Sequence, residues 1–322
     1  DSYNKRSDLS KLKNKEFTGI LYFSPESFMK NQELIHLLLK KKTICLFAID
    51  ECHCITSWSD FREDYDNLHI IKELINGSYP IPIMALTATA TNKTIDIIKS
   101  KLKLDTLNII KSSFMKTNLN LNFIRKTEIG LDLKYIQSLI NTNKCKTIIY
   151  CKTKKETEEL ARRLIICNIP ARYYHSEVDA KTRSDVQDLF TTGKINVITA
   201  TIAFGMGIDI SDIYMIIHYG ISKDIESYYQ EIGRAGRDGK KANCYLFWAE
   251  NDFRLNNFFV SKIKNPELKN TQKKKNELVK DLIFTRTCRM KYIVKYFDEE
   301  CDNCNNCDNC INSNKPIILP NN

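Results

Sequence analysis

Residues 230–239 read QEIGRAGRDG, with Arg234 and Arg237 three positions apart among glycines and only Ile232 as a bulky apolar side chain. A core helix is not composed this way. Two guanidiniums at this spacing are expected to share one short face and to meet an anion. A triphosphate whose charge grows during transfer suits them, and an arginine acting there is worth ~10³–10⁵ in rate. LFAIDECHCI carries Asp50 and Glu51 at the end of an apolar run, where parallel sheets place ligand chemistry. One carboxylate there can hold a magnesium ion on nucleotide phosphates, and its neighbour can take a proton from attacking water. His53 follows at the distance of a helper. IMALTATAT ends a second apolar run with Thr87 and Thr89, whose hydroxyls can relay hydrogen bonds between two sites. A helix N-cap is the competing role for Thr89 or Thr91.

Three further stretches carry chemistry. SWSDFR sets Trp58 and Phe61 beside Arg62, a set suited to base stacking and phosphate contact, or to a core if the aromatics turn inward. TATIAFGMGIDI runs into Gly205 and Gly207, which permit close backbone approach to a nucleotide or phosphodiester, and Asp209 can reach a ribose hydroxyl or order a loop. CDNCNNCDNC puts Cys301, Cys304, Cys307 and Cys310 three residues apart, with Cys288 upstream. Four thiolates can close a zinc tetrahedron, although four consecutive ones crowd the backbone; disulfides or free thiols are the alternatives.

The elements that must position these residues alternate. GILYFS, TICLFAID, IPIMALTAT and LNII read as strands, with helices over Glu26–Lys40, Asp64–Ile75 and Asn92–Leu102. After Asn118 the pattern restarts: KTIIYC, ARYYH, INVITAT and IYMIIHY as strands, with helices over Leu131–Ile140, Lys154–Cys167, Ala180–Phe190 and Asp224–Ile232. Near-continuous apolar strands between helices describe a parallel sheet covered on both faces. From Asn251 onward strands vanish, and a lysine-rich helical segment leads into the cysteines. That lysine run is a solvated helix face or a DNA contact.

The chain has 322 residues, a net charge of +10, 43% apolar residues and twelve cysteines. Its length suits two or three domains, and its charge a polyanionic partner or simply a lysine-rich surface. The seven cysteines outside the cluster read as reduced thiols. No apolar run is long enough for a transmembrane helix, so no membrane partner is expected.

FAIDECHCITSWSDFREDY, ALTATAT, TIIYCKTKKETEELA, TATIAFGMGIDI and QEIGRAGRDG, in this order, resemble the successive motifs of superfamily 2 helicases. With the cysteine-rich tail the chain resembles RecQ DNA helicases over Leu21–Cys310. The resemblance implies two RecA-like parallel-sheet α/β domains, the first N-terminally incomplete (1–118, then 119–250), followed by a small helical zinc-binding module (251–322). It implies ATP between the two domains, magnesium on Asp50, Glu51 as general base, and His53 and Gln230 coupling hydrolysis to the domain interface. Arg234 and Arg237 would reach the γ-phosphate, with Arg237 as the finger. Gly207 and Asp209 would contact nucleotide. Trp58, Phe61 and Arg62 would form the aromatic-rich loop that senses single-stranded DNA, and Lys116 and Asn118 the hinge segment. The family's cysteine pattern implies Cys288, Cys304, Cys307 and Cys310 as zinc ligands, with Cys301 spare.

Two departures stand out. None of the ten glycines stands in G-x-x-x-x-G-K-[ST], so the phosphate loop is expected upstream of Asp1, and the isolated chain is expected to be nearly inactive as an ATPase. WSDFR is one residue shorter than the family's loop and lacks its usual His. The implied activity is 3′-to-5′ DNA unwinding coupled to ATP hydrolysis, in DNA repair, recombination and replication in the nucleus. A non-catalytic DNA-binding scaffold remnant and an RNA helicase are the rivals.

Overall fold

The computed structural model describes residues 19–56, 65, 67–76, 79–104, 106–205 and 210–313. The chain separates between Ser112 and Ser113 into two compact units.

In the first unit, α1 (Pro25–Lys30) and α2 (Gln32–Lys40) occupy the stretch expected as one helix. The break is Asn31, whose side-chain amide bonds back to the Ser27 carbonyl. β1 (Phe47–Ile49) and β2 (Ile83–Ala85) pair in parallel. The ladder runs on beyond both strands, with Leu86 N–H on the Ile49 carbonyl (2.8 Å) and Cys52 N–H on the Leu86 carbonyl (2.9 Å). α3 (Ile70–Ile75) follows a short 3₁₀ turn, and α4 (Asn92–Lys101) starts where the Thr91 hydroxyl accepts the Thr94 N–H at 3.1 Å. The N-cap role considered for Thr89 or Thr91 thus falls to Thr91. Ile35, Ile49, Ile71, Ile98 and Leu102 form this unit's core. The strands expected over 19–24 and 107–110 have no ladder among the described residues, and Tyr22 and Ile110 lie exposed. Apolar sequence confers strand propensity, but only a neighbouring strand completes the backbone hydrogen bonds.

The second unit is built on six parallel strands: β3 (Leu119–Arg125), β4 (Lys146–Cys151), β5 (Ala171–Tyr174), β6 (Val197–Ala200), β7 (Ile213–Tyr219) and β8 (Ala242–Trp248). Their order is β3-β8-β7-β4-β6-β5. Central β4 and β7 are buried almost throughout, as their largely apolar sequences require, whereas edge strand β3 alternates. β3 and β8 are strands beyond those expected from the sequence. α5 (Ile129–Asn143) and α6 (Lys154–Ile166) cover one face, around Ile136, Leu164 and Met215. α7 (Ala180–Thr191) and α8 (Ile225–Ile232) contribute to the core of the other.

α9 (Glu250–Ser261), α10 (Pro266–Phe284), α11 (Arg289–Tyr296) and α12 (Asp308–Ser313) follow. This tail is helical, as expected, and it belongs to the second unit's core. Leu282, Met290, Ile293 and Phe297 lie in one cluster with Tyr228, Ile216 and Phe204. Asp308 seals the sheet edge: its carboxylate accepts the Phe123 N–H of β3 at 2.9 Å and the Arg289 Nε–H at 2.6 Å.

Candidate functional site: two carboxylates, an arginine loop and a four-sulfur centre

In the first unit the turn after β1 carries Asp50 and Glu51. Asp50 is exposed, and its Oδ1 accepts the Glu51 N–H at 2.8 Å. Glu51 has φ +50°, a left-handed conformation uncommon for a residue with a side chain. It lets the chain turn at once into the 3₁₀ segment Cys52–Thr56, which buries Cys52, Cys54 and Ile55 under the carboxylates. His53 Nδ1 stands 3.1 Å from Glu51 Oε2 and 3.1 Å from Thr87 Oγ1. Thr87 Oγ1 also accepts the Thr89 N–H at 3.2 Å. The ends of both strands are therefore joined through one imidazole. Burial disfavours its charged form, but hydrogen bonds to Cys54 and Glu51 outweigh burial and raise the His53 pKa to about 9. Asp50, an exposed oxygen donor at a strand end, fits a hard cation such as magnesium.

Trp58, Phe61 and Arg62 lie outside the described residues, as do Gly207 and Asp209.

In the second unit α8 ends at Ile232 with Gly233 as its cap, so Arg234 and Arg237 lie in the turns beyond it. The helix thus ends at Ile232, where the sequence places its end. The Arg234 guanidinium donates to the Gly205 carbonyl, and a Cβ at Gly205 would fall 2.3 Å from Arg234 Cζ. Arg237 is exposed, and Gln230 is half-buried on α8. Gly236 has φ +60°, and a Cβ there would lie 2.5 Å from both Asn118 Nδ2 and the Lys240 carbonyl. Asn118 explains that closeness, since its amide donates to the carbonyls of Gly236 (3.0 Å) and Lys240 (2.9 Å). Lys116 is half-buried and its carbonyl accepts the Leu119 N–H.

Beside the loop lies a contact that the motifs do not announce. Buried Glu231 receives the Ser222 hydroxyl at 2.7 Å and lies 2.8 Å from His218 Nε2. It fixes α8 to the end of β7 immediately before the arginines. An acidic residue amid a motif otherwise read for its cations was the available signal.

The sulfurs of Cys288, Cys304, Cys307 and Cys310 all lie within 4.8 Å of one another. Cys288 to Cys304 is 3.4 Å, Cys307 to Cys310 is 3.5 Å, and Cys304 to Cys310 is 4.0 Å. A tetrahedral zinc with bonds of about 2.3 Å needs sulfurs about 3.8 Å apart, so the donor set fits zinc. Backbone N–H groups of Cys304, Cys307 and Arg289 point at these sulfurs, which suits thiolates. The hydrogen bond from Cys304 holds the Cys307 thiol far below its ordinary pKa, while the Cys304 thiol is pushed up. Without a cation the cluster tolerates little negative charge. Cys301 is half-buried and outside the four.

Comparison with known proteins follows this division. Residues 1–98 match the DEAD/DEAH box helicase family, 130–239 the helicase conserved C-terminal domain, and 250–311 the RecQ zinc-binding family. A putative ATP-dependent RNA helicase of Acanthamoeba polyphaga mimivirus is 40% identical, over 92% of this chain and 54% of its own length. The ATP-dependent DNA helicase RecQ of Bacillus subtilis is 34% identical, over 87% of this chain and 47% of its own. The bifunctional 3'-5' exonuclease/ATP-dependent helicase WRN of Mus musculus is 35% identical, over 88% and 20%. The chain thus spans about half, or less, of these curated relatives. Among solved structures, Mycobacterium smegmatis helicase Lhr bound to ssDNA and AMP-PNP is similar with a TM-score of 0.55 at 19% identity, covering 74% of this chain and 33% of that one. S. cerevisiae Dbp5 bound to RNA and ADP BeF3 gives 0.54 at 19%, covering 79% and 68%. At that identity the likeness is one of fold: parallel-sheet, RecA-like α/β architecture.

Proposed function

The chain belongs to the RecQ family of superfamily 2 helicases, and from that premise we propose that it is the motor core of an ATP-dependent DNA helicase acting 3′ to 5′. The observation that carries this reading is the joined pair of strand ends in the first unit. Exposed Asp50 and half-buried Glu51 stand there, with Glu51 held through His53 to Thr87.

In this reading Asp50 holds magnesium, which when bound supplies positive charge against the phosphate oxygens. Glu51 accepts the proton of the attacking water, and His53 beside its Oε2 keeps it aimed. His53 and Thr87 transmit the state of that carboxylate to Thr89 and the following loop. Arg234 and Arg237 stabilise the charge growing on the γ-phosphate, with Arg237 as the finger, and Gln230 acts with His53 in coupling hydrolysis. Gly207 and Asp209 serve the nucleotide. Trp58, Phe61 and Arg62 serve a single-stranded DNA segment. Cys288, Cys304, Cys307 and Cys310 hold one structural zinc. Repair, recombination and replication in the nucleus are the setting that fits such a motor. The 322-residue chain alone is expected to turn over ATP weakly, since it contains no G-x-x-x-x-G-K-[ST] loop.

The test uses the gene product that contains these residues. Glu51→Gln is expected to lower DNA-stimulated kcat about 10²–10⁴-fold with DNA binding retained. Arg237→Ala should lower it about 10³–10⁵-fold. Full turnover in both variants would overturn these catalytic roles, whereas a gene product that binds DNA with no DNA-stimulated turnover at all would leave the scaffold reading. The mimivirus relative favours RNA as a second reading. Unwinding of matched DNA and RNA duplexes decides between them.

A further inference from the structure

α9 has two faces of different character. Its inner face is fastened along the C-terminal edge of the six-stranded sheet. Asp252 pairs with Lys126, just past β3, at 3.3 Å. Asn256 accepts from Lys152, just past β4, and donates to the Ser222 carbonyl, past β7, at 3.2 Å. Ligand chemistry in parallel sheets gathers at this edge.

The outer face carries Arg254, Phe258 and Lys262 at four-residue spacing, hence in one row. Phe258 and the adjoining Phe259 are 52% and 51% exposed, which is far beyond what a packed core helix allows. Lys262 Nζ lies 4.3 Å from the Phe258 ring centroid. Asn251 and Ser261 complete the face, whose one acid is the exposed Glu250, a turn before Arg254 at the far end of the row from Lys262. Lys264 follows, exposed, and Lys269 of α10 donates to the Ser261 carbonyl at 3.1 Å, bringing a further cation to the helix end. A cation–π pair alone accounts for Lys262 over Phe258. It gives no reason for exposing Phe259 or for placing Arg254 one turn before.

We infer that the outer face of α9 is a stacking platform for an unpaired nucleic-acid strand, with Phe258 and Phe259 under the bases and Arg254, Lys262 and Lys264 on the phosphates. The cations select a polyanion, and the exposed rings select one whose bases are unstacked, because a duplex offers no base face. The inference rests on the reading of the chain as a DNA-binding motor, and adds to it a surface outside the helicase motifs.

Fluorescence anisotropy with a labelled oligothymidylate of about 20 nucleotides, enough to span several stacking positions, and with a duplex of equal length tests it. Phe258→Ala should weaken single-strand binding about 5- to 100-fold while duplex binding and thermal stability stay unchanged. Lys262→Ala should leave a shallower salt dependence, by about 0.7 in the logarithmic slope. Wild-type and Phe258→Ala chains binding the single strand equally would overturn the platform while leaving the motor intact. A wild-type chain binding neither probe would overturn both. A Phe258→Ala chain that binds normally but loses self-association in light scattering would make the face a protein interface instead.

Discussion

Glu51 holds a backbone conformation, φ +50°, that costs a residue with a side chain about 1 kcal/mol or more. The cost is tolerated where surrounding bonds over-determine the turn, and the ladder continuing from Ile49 through Leu86 to Cys52 does so. His53 then fixes the carboxylate. Its folded pKa, about 9, lies above the unfolded value of 6.5. Its stabilising contribution is therefore complete below pH 6.5, declines as pH rises, and is gone above about 9. Glu51 is 44% exposed, so solvent screens the pair and the loss should be about 1–2 kcal/mol. Urea unfolding of the first unit across this range should show that decline, and His53→Asn should flatten it. An equal slope in the variant would place the pH dependence elsewhere. DECH and TAT are legible in the sequence as the polar ends of two apolar runs. Their connection through one imidazole is not legible, because it depends on two strand ends separated by more than thirty residues.

Elements differ in how plainly they can be read. β4 and β7, buried on both faces, are largely apolar words. β3 reads LNLNFIR, an alternation proper to a sheet edge, and a rule seeking continuous apolar runs misses it. The end of α8 at Ile232 was legible, but the place of the arginine loop beyond it was not, because Asn118, far away in sequence, decides where the loop lies. What closes the edge of β3 is equally remote. Asp308 caps the Phe123 N–H while pairing with Arg289, whose guanidinium also donates to the Leu282 carbonyl and lies 4.0 Å from the Phe123 ring centroid. Both side chains are largely buried, at 8% and 15% exposure. Removing one partner leaves the other as an uncompensated charge, at about 3–5 kcal/mol. Asp308→Ala should therefore destabilise the second unit by about that amount in urea unfolding, and amide exchange at Phe123 should rise with it. A loss below about 1 kcal/mol, the range of an exposed pair, would mean that water replaces Asp308 without penalty.

At the scale of the molecule, the two units have separate cores, one around Ile35, Ile71 and Ile98, the other joining the strands to the helical tail. The sequence announces that tail as a module by its composition. It does not announce that Phe297 stacks on Phe114 at 4.3 Å, or that Glu299 accepts the Phe114 N–H at 2.9 Å. Through these contacts the cysteine cluster and the start of the second unit are one packed body. A metal that organises the cluster should then stabilise the whole second unit, because binding free energy to a site formed only in the folded state is folding free energy. Zinc chelation is expected to lower the second unit's melting transition by several degrees, since about 1 kcal/mol shifts a domain of this size by about 2–4 °C. The first unit's transition should not move. Cys304→Ser should reproduce the shift and abolish bound zinc, whereas Cys301→Ser should retain about one ion per chain, the stoichiometry of four thiolates. If Cys301→Ser loses the metal and Cys310→Ser keeps it, the ligand set is wrong. If chelation leaves both transitions in place, the shared core of strands and tail stands without its metal, and the cluster's contribution ends at its own loops.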